Sequence, residues 1–598
     1  MAWYDEAVFY HIYPLGLTGA PRQNAYAEPV HRLRGLLPWI AHICALGCTA
    51  VYIGPLFESV GHGYETTDYR KLDSRLGTNE DLKEFVRECH GQGLRVIFDG
   101  VFNHTGRDFF AFRDLKENRE NSPYKDWYCN VNFWGNNEYN DGFSYENWGG
   151  YNLLVKLNQR NPAVRDYICD VIRFWISEFD VDGIRLDAAD VLDFDFMKAL
   201  RAVADQADRD FWLMGEVIHG DYSRWANEST LHSVTNYMMH KALYSGHNDH
   251  NYFEIAHTIR HIDGMTGARQ YCRSLYTFVD NHDVERISTK LMNKAHYTPV
   301  HILLYTLPGI PSIYYGSEFG IDGPKHRGGS DDAIRPSIHL ADFVQNAGED
   351  QDGFTTTCQV VAGLDPSRTM ALIQALGRVR SRIPHLAYGD YEERVLTTRQ
   401  YAFARRFDGS EVITAVNNDD NPAALSISAR DGLYTDALTG AQAECTGGCL
   451  RVTVPANGGQ IWVPLAVLDG ADDTGIQVQP VQHTAKQEAA APEAPEQPSE
   501  SEKPQPVTDV SAAAGLREEH AVPVKELVTE QVQQAFEETE AEPVQVPDIP
   551  FEQMTVPQLQ QVILGKMASN GPVTDRMKKD VTDNIWKDSL INWAKSFR

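Results

Sequence analysis

Val181-Asp182-Gly183-Ile184-Arg185-Leu186-Asp187 is a short apolar run that closes on a carboxylate. A run this short, bounded by turn residues, suits a strand buried on both faces of a parallel sheet. The same design recurs along the chain: Val8–Tyr13, Ala50–Ile53 and Leu94–Asp99 precede it, and Phe211–Glu216, Ser233–Tyr237, Leu275–Asp280 and Ile310–Tyr315 follow. Amphipathic stretches separate these runs. One begins at Thr78-Asn79-Glu80-Asp81, where a hydroxyl and a carboxylate three residues apart mark a capped helix start. Eight strands alternating with helices predict an α/β fold, a (β/α)₈ TIM barrel, with its chemistry at the C-terminal ends of the strands.

Residues 103–158 form a long insertion after the third strand, crowded with Trp127, Tyr128, Trp134, Tyr139, Phe143, Tyr145, Trp148 and Tyr151. Such an insertion both builds its own aromatic core and offers rings to a sugar-shaped ligand. The barrel is expected over residues 1–389 with this domain inside it. Residues 390–465 change to short alternating runs with Asn-Asn-Asp-Asp and Asp-Gly turns, the pattern of an all-β sandwich. Residues 466–550 are rich in Pro, Glu, Gln and Ala and read as a disordered linker. Helical periodicity returns over 551–598, which predicts a small helical segment suited to a protein partner or to self-association.

The 598 residues carry 54 basic and 83 acidic side chains, a net charge of −29, which disfavours nucleic acid and anionic membrane surfaces as partners. No run approaches the ~18 apolar residues of a membrane span. Met1-Ala2-Trp3-Tyr4-Asp5-Glu6 does not have the features of a secretory signal. Nine cysteines, an odd number thinly spread, argue against a disulfide framework and for a cytoplasmic location. Cys44 and Cys48 read as small core residues, and Cys445-Thr-Gly-Gly-Cys449 as a turn.

Carboxylates close several of the strands. Asp99 lies in Asp99-Gly-Val-Phe-Asn103-His104, Asp187 follows Arg185, Glu216 ends the fifth strand, and Asp283 ends Val279-Asp280-Asn281-His282-Asp283. A buried carboxylate without a partner is costly, so several converging on one rim point to catalysis. Paired carboxylates suit glycoside chemistry, in which one protonates the leaving oxygen and the other attacks the anomeric carbon. Arg185 is expected to keep Asp187 ionised, and a less solvated Glu216 to stay protonated. His104 and His282 are suited to bonding sugar hydroxyls.

These segments, in their order, resemble the successive motifs of the α-amylase superfamily, and Val155-Lys156-Leu157-Asn158 resembles the signature of its neopullulanase and cyclomaltodextrinase branch. Gly309 to Glu318 is similar to the eighth-strand motif. The resemblance covers residues 1 to 465. It implies Asp187 as nucleophile, Glu216 as acid/base and Asp283 as transition-state stabiliser. It also implies that Arg185, His104 and His282 line the subsite of the attacked sugar, that Tyr64 stacks beneath that sugar, and that Asp99 is a supporting carboxylate. Asn103 matches a calcium-ligand position. The Lys-His pair that often follows the nucleophile is Asp190-Val191 here, so calcium is possible but not required, and no other cofactor is expected. The branch's N-terminal domain has no counterpart before the barrel, so dimerisation through it is not expected.

The resemblance implies a retaining hydrolase of α-1,4-glucosidic bonds in maltodextrins or cyclodextrins. A 4-α-glucanotransferase or glucosyl isomerase would use the same residues with a sugar in place of water. A non-catalytic glucan-binding scaffold would not need the three carboxylates intact.

Overall fold

The computed structural model describes residues 2–267, 271–325, 330–345, 347, 354–468, 559, 560, 562 and 563. The chain divides into two compact units, Met1–Lys486 and Gln487–Arg598, and the architecture below is that of the first. In the second unit the described residues Leu559, Gln560, Val562 and Ile563 are helical. The rest of the expected linker and C-terminal segment lies outside the described residues, apart from the start of the linker, where Leu465–Leu468 makes one helical turn.

Eight parallel strands follow one another around a barrel: β1 (Phe9–Ile12), β2 (Ala50–Ile53), β3 (Arg95–Gly100), β4 (Gly183–Leu186), β5 (Trp212–Gly215), β6 (Ser233–Val234), β7 (Tyr276–Phe278) and β8 (Ile310–Tyr314). The sheet runs from β6 back through β1 to β8 and β7. A parallel bridge between Thr235 and Tyr276 then joins β6 to β7, where Asn236 N donates to Tyr276 O at 2.8 Å. The barrel thus leaves no free strand edge. Outside it lie α1 (Leu37–Ala45), α2 (Asn79–Gly91), α3 (Pro162–Phe179), α4 (Phe194–Asp205), α5 (Tyr237–Asn248), α6 (Tyr252–Thr266), α7 (Tyr297–Thr306) and α8 (Pro366–Arg382). The β5–β6 connection differs from the expected alternation: it carries only a 3₁₀ turn, Tyr222–Arg224, and the extra helix appears after β6. Thr78 and Asp81 cap α2 as the sequence suggests, with Thr78 N 2.7 Å from Asp81 Oδ2.

The period of two along each strand decides what faces the barrel axis. Phe9, Tyr52, Ile97, Trp212, Met214, Tyr276 and Phe278 form one buried cluster inside the barrel. Two residues beyond Ile97 stands Asp99, and two beyond Met214 stands Glu216. On β4 the same spacing carries Arg185 and Asp187. The β3–β4 register pairs Asp99 with Arg185 directly. Apolar side chains therefore fill the barrel, and polar ones crown its C-terminal mouth.

The insertion has its own aromatic core, in which Phe112, Tyr128, Phe143 and Tyr145 are buried, while Trp134, Tyr139 and Tyr151 are exposed. Its strand Tyr151–Lys156 pairs with His104–Thr105 and so fastens it to the end of β3. After the barrel come β9 (Asp390–Leu396), β10 (Gln400–Phe407), β11 (Ser410–Asn417), β12 (Ala423–Ser428), β13 (Gly432–Asp436), β14 (Gln442–Thr446), β15 (Cys449–Val454) and β16 (Gly458–Pro464). They make one antiparallel sheet in the order β9-β10-β11-β16-β13-β14-β15-β12. It curls over a shared core that includes Ala404, Ile413, Ile427, Leu450 and Trp462, so the expected sandwich is a single folded-over sheet. Cys445 and Cys449 flank the hairpin turn between β14 and β15.

Candidate active site

Arg185 organises the mouth of the barrel. Its Nη1 donates to Asp99 Oδ1 at 2.8 Å and to Asp187 Oδ1 at 3.0 Å, and its Nη2 lies 2.8 Å from Glu216 Oε2. One guanidinium therefore serves three carboxylates from three adjacent strands. Asp99 also accepts from Tyr52 Oη at 2.9 Å and Tyr64 Oη at 3.1 Å. Its oxygens are occupied by protein donors, which makes it a holder of Arg185 rather than a group turned to ligand. Gly54, at the end of β2, permits this closeness: a Cβ there would stand 2.3 Å from that of Asp99.

The structure corrects the expected division between Asp187 and Glu216. Arg185 does not single out Asp187, because it bonds both. Nor is Glu216 the less solvated of the two, since the side chains are 10% and 12% exposed. Burial pushes the Asp187 carboxyl well above its usual range, with Glu216, Asp99 and Asp283 adding to the rise against the pull of Arg185. A positive charge developing on a bound ligand beside Asp187 would relieve that crowding of carboxylates. Glu216 has two further partners that sequence reasoning missed. The Ala188 N–H donates to its Oε2 at 3.1 Å, and Tyr237 Oη lies 3.3 Å from its Oε1. Ala188 adopts φ +46°, a left-handed conformation that is strained for a residue with a Cβ and aims its N–H at the carboxylate.

Asp283 stands on the loop after β7, not in a strand. Its Oδ1 accepts from Arg335 Nη2 at 2.8 Å, and His282 Nε2 is 2.9 Å from its Oδ2. Desolvation works against ionisation, but His282 and the Arg335 and Arg185 guanidiniums hold the carboxyl well below the usual range. Arg335 comes from the loop after β8, and no spacing in the sequence signals it. Tyr237 did leave a signal, because it closes the sixth apolar run. It is linked to the Asp283 loop through Asn281, whose Nδ2 donates to Tyr237 Oη at 3.1 Å.

Tyr64 joins the cluster from the hairpin Phe57–Ser59/Thr66–Leu72. Its hydroxyl contacts His282 Nε2, and the two rings stack 5.7 Å apart at 11°. His282 Nδ1 is buried with no partner among the described residues. His104 differs from expectation. Its Nε2 donates to Tyr64 O at 3.1 Å, so its Nδ1 is the acceptor for Asn103 Nδ2 at 3.2 Å. Burial pushes this ring down to about 3, so it is neutral. It positions the Tyr64 loop and leaves no ring nitrogen for a sugar hydroxyl.

At Asn103, the position matched to a calcium ligand, the side chain is engaged by protein groups. The Asn103 Oδ1 accepts from Gln159 Nε2 at 3.5 Å, and Gln159 Oε1 accepts from Asp193 N at 2.6 Å, so the amides satisfy one another. A hard cation needs about 6–8 oxygens. Among the described residues, no three His, Cys, Asp or Glu side chains group as a metal site. Among the described residues, no helix is long and apolar enough to cross a membrane.

Beside the Asp283 loop lies a cavity of ≈ 430 Å³ walled by Tyr13, His62, Glu65 and Arg335. It adjoins the cluster through Arg335, which bonds Asp283, and through the Tyr13 ring, stacked 5.9 Å from His282. Buried Arg75 fixes its far wall by donating to Pro21 O at 2.9 Å and Gly61 O at 2.6 Å.

Residues 23–374 match the model of the alpha-amylase catalytic domain. A cyclomaltodextrinase of a Bacillus species is 30% identical over 466 residues, covering 73% of this chain and 77% of the relative. Neopullulanase 2 of Thermoactinomyces vulgaris is 29% identical over 77% of this chain and 78% of its own. Among solved structures, the debranching enzyme of Nostoc punctiforme superposes with a TM-score of 0.62 at 26% identity, covering 77% of this chain and 98% of that one.

Proposed function

Because the chain belongs to the α-amylase family and is an α-glucan-active glycoside hydrolase, we propose that Asp187, Glu216 and Asp283 carry a retaining double displacement at its barrel mouth. The observation that carries this reading is the sharing of Arg185 by Asp187 and Glu216. Two carboxylates gathered by one guanidinium face the same bound sugar from adjacent strands, as a nucleophile and an acid must. An inverting enzyme would set the two about 6.5–9.5 Å apart to hold a water, and the anomeric configuration of the product separates the two mechanisms.

In the first step Glu216 gives its proton to the glycosidic oxygen, the C1–O bond breaks, and an Asp187 oxygen bonds to C1. In the second, Glu216 takes a proton from water, the hydroxide bonds to C1, and the Asp187–C1 bond breaks. Both passages cross an oxocarbenium-like state. Asp283, held ionised by Arg335 and His282, faces that charge, and the Tyr64 ring supplies a stacking surface for the sugar. The glycone occupies the cavity beside Tyr13 and Arg335, because the acid must stand on the leaving-group side. No step needs a metal ion. All nine cysteines are free thiols, which supports a cytoplasmic location.

The substrates proposed are maltodextrins and cyclodextrins, cleaved at α-1,4 bonds. Chromatography of products from maltoheptaose, β-cyclodextrin and pullulan tests this. Shorter linear α-anomeric products from the first two are expected. Disproportionation without net release of reducing ends would instead make the chain a glucanotransferase.

A further inference from the structure

A second cavity, of ≈ 790 Å³, opens on the outer flank of the hairpin that carries Tyr64, and none of the proposed catalytic residues lines it. Its walls come from the β1 loop, the hairpin's outer arm, the start of the inserted domain and α3. Three rings face it, Tyr26, Phe110 and Tyr167. Around them stand three acids, Glu58, Asp68 and Asp108, and three bases, Arg70, Lys71 and Arg113. The charges cancel, so the lining selects neither an anion nor a cation. Aromatic faces among planar, multivalent hydrogen-bonding groups suit a neutral polyhydroxylated ligand.

Tyr26 itself carries the second observation. It is 43% exposed and held at φ +51°, an uncommon conformation for a bulky side chain. The turn that imposes it is pinned from below. Tyr26 N donates to Asn24 Oδ1 at 2.8 Å, and the buried Asn24 donates to Ser59 O at 3.0 Å. A ring presented to solvent on a strained, tethered turn is the arrangement found at ligand platforms. The Arg113 guanidinium makes no hydrogen bond or ion pair among the described residues, its backbone N–H alone being engaged, by Phe109 O at 2.9 Å, and Arg70 lies over the Tyr167 ring, 5.8 Å from its centroid, without an ion pair. Both keep donors for a ligand.

We propose that this cavity is a second binding site for α-glucan, with Tyr26 as its stacking platform and Arg70 and Arg113 as hydroxyl donors. The proposal rests on the glucan-hydrolase reading of the barrel mouth. The hairpin is shared: Tyr64 serves the mouth, while Asp68, Arg70 and Lys71 on its outer arm serve the cavity. The site holds a long chain beside the active centre and raises the effective concentration of its bonds there.

The test is calorimetric titration of the full chain bearing Glu216→Gln with maltoheptaose, which the variant binds without turning over. Two sites are expected. Adding Tyr26→Ala, or separately Arg113→Ala, should leave one. In the catalytically intact chain the same substitutions should raise KM for soluble amylose several-fold while leaving kcat on maltotriose within twofold. A single site in the Glu216→Gln chain, unchanged by either substitution, overturns the second site and leaves the hydrolase reading standing. No binding at all overturns both.

Discussion

Arg185 holds three carboxylates on one guanidinium, so Arg185→Gln would leave Asp99, Asp187 and Glu216 facing one another in a desolvated pocket. Breaking a buried ion pair from one side costs about 3–5 kcal/mol. A lowered melting temperature and a loss of more than about 10²-fold in kcat/KM are expected from a melting curve and steady-state rates. Activity within a few-fold of the parent would contradict the role. Tyr237→Phe is a milder change. It removes one hydrogen bond to Glu216, and kcat should fall by about tenfold, on the scale of one bond to a charged group, with KM little altered. Legibility at this scale follows chain locality. Asp99, Arg185, Asp187 and Glu216 could be read because a strand of period two brings each to its position. Arg335 could not, because it meets Asp283 from 52 residues away, out of a different loop. The strained backbone at Ala188 and the engagement of Asn103 by Gln159 leave no trace in composition or periodicity.

Among the elements, the eight strands were readable because each is an uninterrupted apolar run between turn residues. The missing helix between β5 and β6 was not, since a 3₁₀ turn and a short helix share their local pattern. Helices α5 and α7 carry a further consequence. Burial pushes His247 on α5 down to about 3 and His301 on α7 down to about 4. Both lie below the ordinary value of about 6.5, so the unfolded chain binds the extra protons. Stability from keeping these rings neutral is fully present above pH ~6.5 and is lost as pH falls through the window towards the folded values. The melting temperature should hold near neutrality and decline steadily from about pH 6.5 to about pH 4. His301→Gln should flatten part of that decline relative to the parent. Parallel curves for the two proteins would show that His301 is not a source of acid sensitivity.

For the molecule as a whole, every group assigned to the chemistry lies between Tyr13 and Arg335. A chain ending after Leu468 should keep its turnover on maltooligosaccharides within about twofold. A large loss in a folded, shortened protein would place part of the machinery in the C-terminal unit. The central claim is the assignment of nucleophile and acid/base, and one measurement reaches it directly. The Glu216→Gln protein is given an activated α-glycosyl fluoride, whose leaving group needs no protonation, and is then digested for mass spectrometry. The first displacement should proceed and the second stall for want of a base, so one sugar unit should be found on the peptide that contains Asp187. Label on any other carboxylate would contradict the assignment, and inverted anomeric configuration in the parent's product would contradict double displacement itself.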